Sequence, residues 1–112
     1  MTNAVLPVEE MAEFALQKLL AAHEVARGLP RALAAQWPDC APLELTLALS
    51  LAASGLESAF SNAADQRLAR ETWRVAALVA VDCHMMQRMG LPHGRAADLV
   101  DYWRHEDPFF LL

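Results

Sequence analysis

Apolar and polar positions along the 112-residue chain follow a helical period over most of its length. Between residues 7 and 28, apolar side chains recur every three or four positions, starting with Val8, Met11 and Ala15, and polar side chains occupy another face. This spacing is typical of an amphipathic surface helix, because 3.6 residues complete one turn. Pro7 suits the first turn, where its missing N–H removes no hydrogen bond.

Four further helices are predicted from the same period and from residues that begin or end helices. Proline favours the first turn, and glycine adopts the left-handed conformation that closes many helices. We expect Ser61 or Asn62 to cap the fourth helix and Gly90 to end it. The predicted fold is all-α, a compact bundle of four to five helices without a sheet, in one domain over residues 1–112 with an apolar tail at 107–112. The predicted helices span residues 7–28, 30–37, 42–60, 62–89 and 94–105.

Residues 43–51 carry a leucine at every second position, which is the period of a strand. We still predict a helix, since leucine and alanine are among the best helix formers and no second strand-like run could pair with this one. On a helix the large apolar side chains divide between two faces. They are Leu43, Leu47 and Leu51 on one face, and Leu45, Leu49, Leu56 and Phe60 on the other.

The third and fourth helices are expected to be buried on most of their circumference. In the third, only a strip of small and polar residues is expected to face water, and in the fourth, residues 75–81 are apolar on every side. A bundle this small usually encloses one such helix, because the other helices must cover it. The water-facing strip is Thr46, Ser50, Ala53 and Glu57.

The surplus of apolar surface predicts a homodimer or a helical protein partner. The tail adds to this surplus, because it ends in four large apolar residues after Pro108. The candidate interaction residues are Leu43, Leu47, Leu51, Phe109, Phe110 and Leu111.

Charge and composition narrow the class of partner. The chain is 55% hydrophobic with a net charge of −5 at pH 7, so it lacks the positive field that non-specific binding to nucleic acid or anionic lipid requires. Its apolar runs are shorter than the roughly 20 residues of a membrane helix. We therefore expect no nucleic acid and no membrane among its partners. Two cysteines and an N-terminus without a signal pattern favour free thiols in the cytoplasm.

One segment, VDCHMMQRMG at residues 81–90, concentrates acid, thiol, imidazole and thioether groups. Successive residues on a helix point about 100° apart, so Asp82, Cys83 and His84 face three directions and cannot hold one ion together. The chain also lacks CxxC, HxxxH, HExxH and ExxH. We therefore expect neither a metal nor a cofactor.

Asp82 nevertheless falls on an apolar strip of the fourth helix, where an unpaired carboxylate would be costly. No basic residue lies three or four positions away, so an arginine, a histidine or an indole N–H from another helix or chain is the expected partner.

Two functions follow from these patterns. No phosphate-binding loop, nucleophile elbow or carboxylate pair indicates catalysis, so the first is a non-catalytic module that works through self-association or protein binding. The alternative is a small-ligand or metal-binding protein with a pocket around Asp82, His84 and the adaptable thioethers of Met85, Met86 and Met89. Asp82, His84 and Met86 are the residues that we would assign to that pocket first.

Overall fold

The computed structural model describes residues 7–22 and 26–112. In these ranges the chain forms five α-helices and two short 3₁₀ turns and contains no strand, which confirms the all-α prediction. The leucine alternation at 43–51 therefore lies in a helix. The helices are α1 (Pro7–Ala22), α2 (Leu29–Gln36), α3 (Pro42–Ala59), α4 (Ala63–Arg88) and α5 (Ala96–His105), and the 3₁₀ turns are Ala26–Gly28 and Pro108–Leu111.

Local hydrogen bonds explain where the two longest helices begin and end. The carboxylate of Glu44 accepts the N–H of Ala41 at 2.8 Å before α3, and Asn62 Oδ1 accepts the N–H of Asp65 at 2.9 Å at the start of α4. Gly90 follows α4 with a φ of 70°, in the left-handed region that favours glycine. The predicted cap by Asn62 and the predicted stop at Gly90 are confirmed.

Two predicted helix boundaries were wrong. Residues 26–28, which the first predicted helix includes, form a separate 3₁₀ turn, and residues 23–25 lie outside the described part of the chain. The last helix begins two residues later than predicted, because the carboxylate of Asp98 accepts the N–H groups of Gly94 and Arg95 and holds them outside the helix. The remaining boundaries agree to within one residue.

Helix α3 lies at the centre of the fold, with α1 and α4 packed on two of its sides. A Cβ added to Gly55 would lie 3.8 Å from Leu16 Cδ2, so α1 approaches the side of α3 that carries small residues. On the other side, Gln66 Nε2 of α4 donates to the carbonyl of Glu57 at 3.0 Å. The molecule measures 42 × 41 × 20 Å, so this arrangement is flat.

Helix α5 and the apolar tail pack within the same chain. The N–H of Ala96 donates to the carbonyl of Cys40 at 2.7 Å, which ties the first turn of α5 to the α2–α3 loop. Trp103 of α5 is completely buried, and its ring lies 5.1 Å from that of Phe110 in the tail. The tail therefore contributes to the core that the helices share.

The expected exposure of α3 was wrong on two faces. Leu43, Leu47 and Leu51 are 58%, 47% and 49% exposed, whereas Ala53 of the expected water-facing strip is completely buried. Ala53 points about 200° around α3 from Gly55, the residue that α1 approaches, so it lies on the opposite flank. No described helix covers the leucine side, because α1 and α4 occupy the two flanks of α3.

The expectation that residues 75–81 of α4 are enclosed on every side was also wrong. Val75 and Val79 are buried toward α3 and α5, but Leu78 and Val81 are 38% and 55% exposed. In a flat arrangement a helix at the edge has neighbours on one side only, so its far side meets water even where the sequence is apolar.

Candidate interaction surface

Five large apolar side chains are exposed on the outward side of α1, α3 and α4, and we call this set the leucine face. Each exposes between 38% and 58% of its surface. Single exposed apolar residues are ordinary, whereas a contiguous set is typical of a binding surface. The leucine face consists of Leu20, Leu43, Leu47, Leu51 and Trp73.

Helix geometry places these side chains on one side of the molecule. Gly55 faces α1, and the completely buried Ala53, two residues away, points about 200° from Gly55 around α3. The directions of Leu43, Leu47 and Leu51 fall between them, on the side away from the core. This side of α3 is a ridge with a leucine at every turn.

The neighbouring helices extend the ridge. Leu16 is the α1 residue against Gly55. Leu20 comes one turn after Leu16, and its side chain points about 40° further around α1, toward the outward side. Trp73 comes one turn after the completely buried Ala69 of α4, and its side chain points about 40° further around α4 than that of Ala69.

Exposed charges of opposite sign flank the leucine face. Glu9 and Glu13 lie on the outward side of α1, within about 40° of Leu20 around the helix axis. Arg70 and Arg74 are exposed on α4 and point about 60° and 100° from Trp73 around the helix axis, so Arg70 lies nearer the leucine face. One edge of the face is therefore acidic and the opposite edge is basic.

The structure separates the residues of the VDCHMMQRMG segment. Asp82 is buried, with 7% of its surface exposed, and Met86 is completely buried. His84 is exposed about 200° around α4 from Asp82, while Met85 and Met89 are each about two-fifths exposed. Asp82 and His84 thus do not line one pocket.

Trp103 is the partner of Asp82. Its indole Nε1–H donates to Asp82 Oδ2 at 2.9 Å across the interface between α5 and α4, so of the three kinds of partner that the sequence left open, the structure shows the indole of another helix. Burial raises the pKa of the Asp82 carboxyl above its ordinary value, the indole hydrogen bond offsets part of that rise, and the charge of Asp107 adds to it.

Both cysteines are free and half-buried. Burial, together with the charge of Glu44, raises the pKa of the Cys40 thiol to about 11. Burial and the charge of Asp82 raise the pKa of Cys83 to about 11 as well. Because the thiolate is the form that attacks and ligates, a pKa this far above neutral disfavours nucleophilic attack and metal binding by both thiols at pH 7. The described residues contain no group of three side chains placed to hold a metal ion.

A cleft of about 340 Å³ lies beside α5, and part of its polar lining already hydrogen-bonds the local backbone. Asp98 caps the helix through two backbone N–H groups, and the carbonyl of Asp101 accepts a hydrogen bond from His105 Nδ1 at 2.8 Å. The carboxylate of Asp101 pairs with Arg104 at 3.5 Å, whereas no side-chain hydrogen bond of Tyr102 or Glu106 occurs within the described ranges.

The remaining interaction candidates belong to the tail. Phe110 is buried against Trp103, Leu111 is half-buried and Phe109 is 40% exposed. Sequence reasoning missed Leu20 and Trp73, because a helical projection of one helix does not show which of its apolar side chains the neighbouring helices leave exposed.

No protein-family model matches the chain, and neither a curated protein nor a solved structure does. In the described part of the chain, no helix has the length and apolar character needed to cross a membrane.

Proposed function

We propose that this protein is a non-catalytic helical module that associates with a second copy of itself through the leucine face. The observation that carries the proposal is the ridge of Leu43, Leu47 and Leu51, three half-exposed leucines in line on the central helix. The net charge of −5 supports a protein partner over nucleic acid or an anionic membrane. The two free cysteines support a cytoplasmic setting.

The exposed apolar surface is large enough for a weak dimer. Together, the four leucines of the face expose about as much surface as two whole leucine side chains. Burying it would contribute about 3–6 kcal/mol per copy, since full burial of one leucine contributes about 1.5–3 kcal/mol. Association itself costs at least about 4 kcal/mol, so we expect micromolar or weaker affinity.

The charged edges favour a second copy as the occupant. Helices α1 and α4 lie on opposite flanks of α3, so a two-fold axis parallel to α3 sets α1 of one copy opposite α4 of the other. The acidic edge of one copy, with Glu9 and Glu13, then faces the basic edge of the other, with Arg70 and Arg74, at both rims. Such complementarity selects the partner and its orientation more than it adds affinity.

Replacing Leu47 with glutamate tests the proposal. Wild-type protein is expected to sediment as a concentration-dependent mixture of one and two chains, between about 5 and 500 µM. L47E should sediment as a single chain throughout, because a carboxylate at the centre of the interface loses its water. The matched control is M85E, which introduces the same charge at a side chain of similar exposure on α4, away from the face.

Loss of self-association in L47E but not in M85E would support the proposal, provided that both variants keep the wild-type helical circular dichroism. A single-chain wild type at the highest concentration would contradict it. Equal sedimentation of L47E and wild type would contradict it as well.

Charge reversal tests the orientation of the two copies. E13R and R70E are each expected to weaken the dimer about three- to tenfold at low salt, and the double variant E13R/R70E should recover most of the loss. The recovery arises because reversing both edges restores opposite charges across the two-fold axis. Dissociation constants from sedimentation at low and high salt would check this, and a double variant as weak as the product of the single effects would exclude the parallel arrangement.

A further inference from the structure

A groove of about 250 Å³ lies between α4 and the C-terminal segment, away from the leucine face. Three of its side chains are exposed apolar residues at the rim, Leu78, Val81 and Phe109, with 38%, 55% and 40% of their surface accessible. The floor is formed by buried groups from both elements. The lining residues are Leu78, Val81, Asp82, Asp107, Phe109 and Phe110.

Two carboxylates line this otherwise apolar groove, and each retains one oxygen without a hydrogen bond. Asp82 is 93% buried; its Oδ2 accepts from Trp103, and no hydrogen bond within the described ranges reaches its Oδ1. Asp107 Oδ1 accepts the N–H of Phe109 at 3.3 Å and caps the last 3₁₀ turn. The groove therefore offers two unshared carboxylate oxygens between apolar walls.

Neither carboxylate forms an ion pair in the described part of the chain. Three ion pairs form among the described residues, and neither Asp82 nor Asp107 takes part in any of them. Arg27 lies over Phe109, with its guanidinium carbon 5.5 Å from the ring centroid, but it lines a different cleft with Phe110. The charge of Asp107 also raises the pKa of Asp82, in keeping with the position of both carboxyl groups in the lining of one groove.

We infer that this groove binds an alkylguanidinium group, such as that of an arginine side chain, between Asp82, Asp107 and the ring of Phe109. A planar guanidinium can donate to two carboxylates and stack on an aromatic face, whereas its apolar stem would contact Leu78 and Val81. The groove volume corresponds to roughly eight waters at about 30 Å³ each, and a butylguanidinium ion has a similar number of non-hydrogen atoms.

The experiment uses n-butylguanidinium as the probe and the indole N–H resonance of Trp103 as the reporter, in ¹H–¹⁵N correlation spectra of the full chain. Because this N–H donates to Asp82, a cation at the other carboxylate oxygen should shift it. Trp37, whose ring lies 5.4 Å from Phe14 in another part of the fold, is the internal reference. We expect saturable binding of about millimolar strength, since a ligand this small gains little free energy.

Two controls separate charge from apolar contact. n-Butylurea is the neutral analogue and should bind at least tenfold more weakly. D107N should weaken n-butylguanidinium about fivefold or more, while the asparagine keeps the cap on Phe109 and its spectrum reports the fold. Equal binding of the urea, unchanged binding to D107N, or a Trp103 resonance that does not move would each overturn the inference.

A third ligand distinguishes a guanidinium group carried by a protein from that of a small free cation. Acetyl-arginine-amide carries the same group on a peptide unit. If it shifts Trp103 with an affinity equal to or tighter than that of n-butylguanidinium, a protein-borne arginine fits the groove. If only n-butylguanidinium binds, the ligand is a small free cation. Either result supports the site, and neither depends on the leucine face.

Discussion

Replacement of Trp103 with phenylalanine is expected to lower the free energy of unfolding by about 2–4 kcal/mol at pH 7. The substitution removes the only hydrogen bond that the carboxylate of Asp82 accepts within the described residues. Leaving a buried polar group unpaired costs about 1–3 kcal/mol. The smaller ring also leaves part of the completely buried Trp103 site empty, which costs on the order of 1 kcal/mol more. Urea denaturation followed by circular dichroism would measure the loss.

The matched control for this substitution is W73F. Trp73 is 39% exposed and makes no side-chain hydrogen bond in the described part of the chain, so its replacement should cost less than about 1 kcal/mol. Similar losses for W103F and W73F would mean that the Asp82–Trp103 contact contributes little to stability.

The cost of W103F should also depend on pH. The pKa of Asp82 is raised in the folded state. Between pH 3.8 and that raised pKa, the Asp82 carboxyl is therefore protonated in the folded chain and ionised in the unfolded chain. The contribution of this carboxyl to stability is therefore greatest below pH 3.8 and falls as the pH rises through that interval. The indole hydrogen bond lowers the pKa of Asp82, so removing the indole raises that pKa further. W103F should therefore reduce the free energy of unfolding more at pH 7 than at pH 4.

The variant D82N isolates that carboxyl. The amide oxygen of the asparagine can still accept the indole N–H, but the amide does not ionise. In D82N, the decrease in the free energy of unfolding that ionisation of Asp82 causes above pH 3.8 should therefore disappear. Equal costs of W103F at pH 4 and pH 7 would contradict the assignment of Asp82 as the titrating group.

Replacement of Leu49 with alanine is expected to cost about 2–5 kcal/mol, whereas the same change at Leu47 should cost less than about 1 kcal/mol in the single chain. The two leucines lie two residues apart on α3, but Leu49 is completely buried and Leu47 is 47% exposed. Both variants remove the same atoms from the same helix, so helix propensity cancels in the comparison. Urea denaturation at low protein concentration would measure both costs without a contribution from self-association.

Comparable costs at the two positions would contradict the assignment of Leu47 to the surface and with it the leucine face. At high protein concentration the cost of L47A should increase, because the folded dimer loses contacts that the single chain does not have. L49A should show no such additional loss.

Helix locations and several helix ends were predictable because they depend on neighbours in sequence. Asn62 caps a helix through an N–H three residues away, and Gly90 ends one through its own backbone conformation. The start of α5 was misplaced by two residues, although its cause is equally local. Asp98 hydrogen-bonds the two N–H groups before the helix and so sets the boundary.

The candidate site was predictable in part. The four-residue spacing of Leu43, Leu47 and Leu51 identified a ridge that the structure leaves exposed. The same pattern placed Leu45 and Leu49 on a second face and gave no reason to prefer one face for the core. Burial of Ala53 depends on the helices packed around α3, which a helical projection of α3 alone does not contain.

The amino-acid sequence by itself determined that this chain is helical, where its helices lie and which apolar side chains share a face, because these properties follow from local propensity and helical period. Only the tertiary structure decided which of those faces form the core. It also decided that Trp103 is the partner of Asp82, twenty-one residues away, and that Asp107 joins Asp82 in one groove. Such contacts depend on how whole helices pack, which no spacing within one helix encodes.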